Sequence, residues 1–592
     1  MAHLNYQGIE NFRLFKGLNN FDFAPISIFT GVNNSGKSSV LKSILLFRES
    51  VLKSRKLEKL LFSESSQRLG TFSDCFNDSL LGEKAISYTY KLPIPQFDDE
   101  IKIKFEFIPE ESFPENGILK SFSILKNGES ILHFANIVKV QETPFYNKKV
   151  AFDLDGSIRK SLTIDLPYFI DKCVKMIIAR KEGAAGRAEL SQSIQEAILD
   201  GALSEDSQLE AMMGYASSIE HGNSVFNSFY SQKSIIQVDP DCEKIDTSQP
   251  LFFLRNGLTD EIIDDEKFQE KIEARINTIA NNTTFVSYDN HDVSGFPQSP
   301  LEWFLEYDIT SFIISQREIE GRNEIILSEF GDYLFNTFIK DFISNSFKYV
   351  LNFFAGVNSL TSIRANTERL YRNSSDIVDI NSLIINFIES NINGDPRIKK
   401  FINQSLQLFN IGDGISVERH QGTASEIFIH KGDAKRLLAD LGFGYSQLIP
   451  IIMKIALIAK RNLIEEDSNI YKFLPSVLIL EEPESNLHPS YQSKLMDLII
   501  NAAKTFNIQF FIETHSEYLI RKLQYFIAKK ELTPNDVKLY YFHDQEDSAE
   551  KKKQFERIEI RPDGILKQDF GEGFYDESIR LTMDLLKIQN VN

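Results

Sequence analysis

An α/β fold is predicted by three features of the 592-residue sequence. A short apolar run, Ile26-Ser-Ile-Phe-Thr30, leads into a glycine-rich loop, Gly31-Val-Asn-Asn-Ser-Gly-Lys-Ser38. Ser39-Val-Leu-Lys-Ser-Ile-Leu-Leu46 follows and reads as the first turns of a helix. Two further apolar runs, Ser476-Val-Leu-Ile-Leu480 and Ile508-Gln-Phe-Phe-Ile512, each end in residues that hold or move charge. One helical segment separates them, which is the pattern of neighbouring parallel strands.

The first loop fits G-x-x-x-x-G-K-S at every fixed position, and its strand–loop–helix setting gives the pattern a mechanism. Gly31 and Gly36 let backbone N–H groups converge on phosphate oxygens, with Asn33, Asn34, Ser35 and Ser39 in the same cradle. The helix N-terminus adds partial positive charge. Lys37 is placed to neutralise β- and γ-phosphates, and Ser38 to offer its hydroxyl to Mg²⁺. The expected ligand is ATP or GTP.

The second run ends in Glu481-Glu482-Pro483-Glu484, so a buried strand delivers acids to a sheet edge. Glu481 is placed to hold Mg²⁺, directly or through water, and Glu482 to orient and deprotonate an attacking water. The third run ends in Glu-Thr-His515. A histidine at a strand end commonly serves only as a structural hydrogen-bonder. Here it follows the Glu481-Glu482 strand by one helix, which puts both strand ends on one ligand-binding edge of a parallel sheet. A fourth segment, Leu441-Gly442-Phe-Gly444-Tyr-Ser446-Gln447, precedes an apolar helix and resembles an anion site at a helix N-terminus.

Composition narrows the class. Cys75, Cys173 and Cys242 are odd in number and far apart, against a disulfide framework or a zinc site, and a reducing cytoplasm is expected. The N-terminus lacks the basic and apolar regions of a signal peptide, and no run of about 18 apolar residues suggests a membrane span. A formal net charge of −19 opposes sequence-independent wrapping of nucleic acid. Lys551-Lys-Lys553 with Arg557 and Arg561 is a local exception, of the sort usually found on solvated faces. Phenylalanine is abundant, and asparagine and isoleucine recur, as in AT-rich coding sequence.

Three regimes follow along the chain. Residues 1–165 are strand-like after the first helix, with alternation in Ser87-Tyr-Thr-Tyr-Lys-Leu92 and Ile101-Lys-Ile-Lys-Phe-Glu-Phe107. Residues 166–350 read as helical and acidic, and carry no recognisable catalytic motif. Residues 351–592 return to strand/helix alternation and hold the remaining motifs.

In this order, the four motifs resemble the ABC-type ATPase head, and more closely its RecF/SMC-like and OLD-like branch. Asn11-Phe-Arg-Leu-Phe15 and Glu481-Glu-Pro-Glu-Ser-Asn-Leu-His-Pro489 are similar to segments of that branch. Ile560-Arg-Pro-Asp-Gly564 and Gly571-Glu-Gly-Phe-Tyr-Asp576 resemble C-terminal segments of some prokaryotic members. The resemblance implies a mixed sheet with flanking helices, split by the helical insertion at 166–350, and ATP with Mg²⁺ as cofactors. It implies a head-to-tail dimer or higher homo-oligomer, with Gly442, Gly444, Ser446 and Gln447 on the γ-phosphate of the other subunit. Asn486 and His488 fall at the dimer contact, His515 senses γ-phosphate, and Gln67 or Leu69-Gly-Thr-Phe72 senses Mg²⁺.

Departures narrow the branch. No long heptad run predicts coiled-coil arms, and no Cys-x-x-Cys predicts a zinc hook. About 75 residues follow His515, too few for a Toprim domain of about 100 residues. The acidic Asp544-Gln-Glu-Asp547 reads as a solvated turn, and Arg364 and Arg369 as surface salt-bridge formers within reach of phosphate or nucleic acid. Heads without their own nuclease are similar to ATPase subunits of anti-phage systems of the Septu type, where the nuclease is a separate partner. The sequence therefore leads us to expect an ATPase switch controlling such a nuclease. A RecF-like clamp that binds DNA directly, and a nuclease using residues 544–547, are the other readings.

Overall fold

The computed structural model describes residues 3–54, 59–77, 84–92, 100–110, 112–135, 149–153, 161–165, 168–169, 172, 286–287, 339–362, 371–372, 380–390, 392, 395–420, 424–465, 471–473, 475–543, 554–571, 580–581 and 583–584. Most of the expected insertion at 166–350 lies outside the described residues, as do Arg364, Arg369 and residues 544–547 and 551–553. The chain divides into two compact units. One comprises Met1–Lys91, Glu106–Leu119 and Tyr349–Asn592, the other Leu92–Phe105 and Lys120–Lys348.

Elements are numbered along the chain. First come β1 (Tyr6–Phe12), β2 (Phe15–Asp22), β3 (Ile26–Gly31), α1 (Lys37–Ser54), β4 (Lys59–Leu60), α2 (Phe72–Cys75) and β5 (Ile86–Leu92). Strands β6 (Ile101–Pro109), β7 (Gly117–Lys126), β8 (Glu129–Ala135), β9 (Lys149–Asp153), β10 (Ser161–Asp165) and β11 (Val286–Ser287) follow. After α3 (Lys340–Ala355) come β12 (Val357–Leu360), β13 (Tyr371–Arg372), α4 (Ile380–Glu389) and α5 (Pro396–Leu408). Next are β14 (Gly414–His420), β15 (Ala424–Lys431), β16 (Ala434–Leu437), α6 (Phe443–Asn462), β17 (Leu463–Glu465) and β18 (Tyr471–Phe473). The series ends with β19 (Ser476–Glu481), α7 (Pro489–Phe506), β20 (Ile508–Glu513), α8 (Glu517–Ala528), β21 (Val537–Phe542) and β22 (Phe555–Ile558).

At the centre of the first unit is a six-stranded sheet in the order β12-β19-β20-β3-β21-β22. Its strands run parallel except β22, the antiparallel edge. β3 and β20 are buried at every position, as strands covered on both faces must be, and this explains their continuous apolar runs. Ile28, Leu480, Phe510 and Ile512 share one core with Ile449 and Met453 of α6, Leu495 of α7 and Leu519 of α8. The opposite parity, Phe29 and Phe511, packs with Phe23, whose ring stands 4.5 Å from that of Phe511. Rings also fill the space between β2 and β21–β22, where Phe21 stacks on Phe555 at 4.5 Å. This part of the phenylalanine content packs the core.

One buried polar tie sets where β20 sits. Gln509 accepts from Leu4 N–H at 3.0 Å and donates to Leu4 O at 2.8 Å and Ala24 O at 2.9 Å. Two of these bonds satisfy the Leu4 N–H and C=O, and the third joins the Ser27 hydroxyl in satisfying Ala24 O. In the second unit, β7 and β8 form a hairpin whose Asn127 and Gly128 both have positive φ, as a tight right-twisted turn requires. There Phe122 packs against Phe134 at 5.2 Å and Phe347 at 4.9 Å.

Two guanidinium groups join α1 and α6 to β12. Arg48 donates to Val357 O at 2.6 Å, and Arg461 to the Asn358 side chain at 3.4 Å. Lys454 of α6 lies beside both; burial, then the Arg48 and Arg461 charges, push its pKa down from 10.5 to about 8. Below about 8 the folded and unfolded chains both carry the proton, and the buried charge weakens folding in full. Between about 8 and 10.5 only the unfolded chain keeps it, so stability rises with pH across that window. Lys454→Met should stabilise the chain by about 1–3 kcal/mol at neutral pH and abolish this rise, as read by denaturant unfolding across the window.

Candidate nucleotide-binding site

Parallel register assembles the site. Glu481 of β19 pairs with Glu513 of β20, and Glu513 pairs with Phe29 of β3, two residues before Gly31. The loop after β3, Glu482 after β19 and His515 after β20 therefore meet at one sheet edge, where open α/β sheets bind ligands.

Gly31 has φ +127°, and a Cβ there would stand 2.2 Å from Phe542 O of β21. Val32 N–H donates to the same carbonyl at 3.0 Å. No side chain fits this crossing, so the glycine is required by the turn itself. Asn34 and Gly36 also take positive φ, and the Ser35 hydroxyl donates to Val32 O at 2.6 Å. Asn33 belongs to the same exposed turn. Ser39 N–H bonds Gly36 O at 3.0 Å as the helix begins. Lys37 is 3 % exposed and donates to Gly31 O at 3.1 Å and Val32 O at 2.6 Å, crossing under the loop it is expected to serve. Burial pulls its pKa down, opposed by Glu513 and Glu482.

The Ser38 hydroxyl donates to Glu513 Oε1 at 2.7 Å. Burial pushes the Glu513 carboxyl up, while Ser38 and Lys37 draw it back. Glu482 has φ +41°, donates its N–H to Glu513 O at 2.8 Å, and accepts from the Ser485 hydroxyl at 2.9 Å. A non-glycine residue in that region costs on the order of 1–3 kcal/mol and persists where its surroundings over-determine it. Glu484 is buried and accepts from His515 N–H at 2.8 Å, so the third acid of the motif holds the histidine loop. Ser516 caps α8 and donates to Gln492 at 2.6 Å. The side chain of His515 is exposed at the edge. Partial burial, then the Lys37 charge, lower its pKa, and Glu482 opposes them, so the three groups share one electrostatic environment.

Gly442 precedes α6 as its N-cap, and no side chain caps that helix. A Cβ at Gly442 would meet nothing within 4 Å. At Gly444 it would make ordinary contact with Asn486 O at 3.4 Å. Ser446 and Gln447 are buried at 4 % and 3 % exposure, so their side chains are covered within this chain. Asn486 sits in a left-handed turn and His488 caps α7. Gln67 bonds Glu49 at 2.9 Å and Ser66 at 3.0 Å, and Thr71 caps α2 through a reciprocal bond with Asp74.

Two residues of the cluster had no role in the sequence reading. Glu513 carried a signal, a lone acid closing an otherwise apolar run, and Glu484 stood in the motif unassigned. The Ser38 hydroxyl and the carboxylates of Glu481 and Glu513 are hard oxygen donors that suit Mg²⁺. Among the described residues no group of three or more His, Cys, Asp or Glu is placed to hold a metal ion.

This geometry defines a phosphate-loop nucleoside triphosphatase. A family profile described as an AAA ATPase domain matches residues 7–520, and the chain belongs to that family. Residues 532–585 match a profile described as a protein of unknown function, DUF3696. No curated protein matches. Among solved structures, the Pyrococcus furiosus Smc head domain with an extended coiled coil, bound to the C-terminal domain of ScpA, is 12% identical. It covers 99% of this chain and 100% of its own, with a TM-score of 0.32. The Pyrococcus yayanosii Smc head with a coiled coil and joint is 13% identical over 98% and 100%, at 0.31. The Thermotoga maritima SMC head domain is 10% identical over 91% and 95%, at 0.30. Scores of this size carry no argument. The α/β fold, a mixed sheet with flanking helices, rests on strand order and register. Among the described residues no helix is long and apolar enough to cross a membrane.

Lys37→Ala should weaken nucleotide binding by about ten- to a hundredfold, the loss of hydrogen bonds to a charged group. Glu482→Gln should retain ATP while slowing hydrolysis by about 10²–10⁴. Equilibrium binding of a fluorescent ATP analogue and phosphate release check the pair, and parent-like turnover by Glu482→Gln would remove Glu482 from the chemistry.

Proposed function

We propose that the chain is a slow, Mg²⁺-dependent ATPase working as the sensor or switch subunit of a prokaryotic anti-phage defence complex, where it controls a separate nuclease. Its head comprises residues 1–165 and 351–592, and the insertion at 166–350 passes the nucleotide state onward. Glu482 takes the proton of the attacking water, and His515 reads the γ-phosphate. Lys37 exchanges its loop carbonyls for β- and γ-phosphate oxygens. Ser38 and Glu481 would hold Mg²⁺, which would supply charge neutralisation at the phosphates. ATP closes two copies head to tail, and hydrolysis opens them. The cytoplasm is the expected setting.

The observation that carries the switch reading is the open backbone at Gly442. Neither φ nor space requires glycine there, since φ is −59° and an added Cβ meets nothing within 4 Å. The nearby uncapped helix start suits the γ-phosphate of a second copy. The defence role and the nuclease partner rest on resemblance alone. Co-purification of the tagged chain with its genomic neighbours, with and without ATP, followed by a nuclease assay, tests them. A co-purifying nuclease whose cutting responds to ATP supports the reading. A chain that emerges alone and binds DNA only with ATP replaces it with a repair clamp.

Gly442→Asp should leave stability within about 0.5 kcal/mol, as an exposed substitution does. It should also abolish ATP-dependent dimerisation of the Glu482→Gln chain in size-exclusion chromatography with light scattering.

A further inference from the structure

The four motifs leave one buried side chain of the site without a function. Glu513 is 7 % exposed, closes β20 beside Glu481, and receives the Ser38 hydroxyl proton at 2.7 Å. A serine hydroxyl at this place could be satisfied by a neutral acceptor at far lower desolvation cost than a carboxylate. Nor does Lys37, the nearest cation on the loop, neutralise Glu513 by direct contact. Both of its hydrogen bonds go to the carbonyls of Gly31 and Val32. Glu481 pairs in register with Glu513, and the charges of Glu513 and Glu482 both act on Lys37.

Hydroxyl geometry says what such a carboxylate does. Ser38 has one proton and two lone pairs. With the proton committed to Glu513, the lone pairs are left for a cation, and the oxygen that bears them is made more basic. We infer that Glu513 is a positioning residue for the nucleotide's divalent cation, fixing the Ser38 hydroxyl as a metal ligand and supplying negative charge behind it. This rests on the ATPase reading of Ser38. It separates Glu513 from the phosphate-binding groups, because its charge opposes the triphosphate and favours only the metal.

That opposition gives the test. Binding of a fluorescent ATP analogue is measured on the full chain, in EDTA and across a Mg²⁺ titration, for the parent, Glu513→Gln, Glu513→Ala and Lys37→Ala. Removing the carboxylate should raise the Mg²⁺ concentration for half-maximal binding by about 10–100-fold, the usual effect of losing a group that orients a ligand. Glu513→Gln keeps an acceptor for Ser38 and should fall between the parent and Glu513→Ala. In EDTA both variants should bind the analogue as tightly as the parent or more tightly. A merely structural Glu513 would weaken binding alike with and without metal, and that result overturns the inference. An unchanged Mg²⁺ requirement in Glu513→Gln and Glu513→Ala overturns it too. If Lys37→Ala binds like the parent, the underlying ATPase reading fails instead.

Discussion

The parallel register of β19, β20 and β3 is the constraint on which the chemistry depends. Side chains alternate faces along a strand, so a slip of one residue in β20 would send Glu513 to the opposite face, away from Ser38. Bonds at both ends of β20 prevent that slip. At its start, Gln509 clasps Leu4 and Ala24 through three hydrogen bonds. At its end, Thr514 N–H reaches Phe29 O at 3.0 Å, and Glu482 N–H reaches Glu513 O at 2.8 Å. The ladder continues past the last strand residue into the loops that carry Glu482 and His515. Rings of Phe29 and Phe511 against Phe23, and of Phe21 against Phe555, hold the sheet from the far side of the helical core.

What this register assembles works against folding. Burial and neighbouring carboxylates raise Glu513 and Glu484, burial lowers Lys37, and Glu482 occupies a backbone region that non-glycine residues avoid. Each term opposes the fold. The surrounding sheet must over-determine these positions for the site to persist without ligand. Thus the apolar continuity of β3 and β20 serves the site as well as the core.

Much of this was legible in the sequence because it is local. A strand, a glycine-rich loop and a helix start within 21 residues, Ile26 to Leu46, carry their own spacing, and the α/β class followed from them. The meeting of the Glu481–Glu482 strand with the His515 strand was inferred from one intervening helix, and their in-register parallel pairing makes it explicit. Glu513 was not legible, since an acid ending an apolar run has no partner until register places Ser38 beside it. Glu484 was hidden similarly, because its acceptor role depends on a backbone N–H 31 residues away. Gln67, which the resemblance offers for Mg²⁺ sensing, bonds Glu49 of α1, a contact that only the fold reveals.

The start of α6 differs from those of α5, α7 and α8, and the difference bears on function. Asp395, His488 and Ser516 each accept backbone N–H bonds at the N-termini of α5, α7 and α8. Gly442 offers no side chain to do so at α6. An uncapped N-terminus leaves first-turn donors to water or to a ligand, and the helix dipole favours an anion there. The core side of the same segment is tightly fixed, with Ser446 and Gln447 buried and Leu448, Ile449 and Ile451 packed behind them. A rigid helix that presents bare backbone at its exposed end is a poor design for stability alone. Bare donors there suit an anion, and the proposed pairing of two heads leans on this local asymmetry.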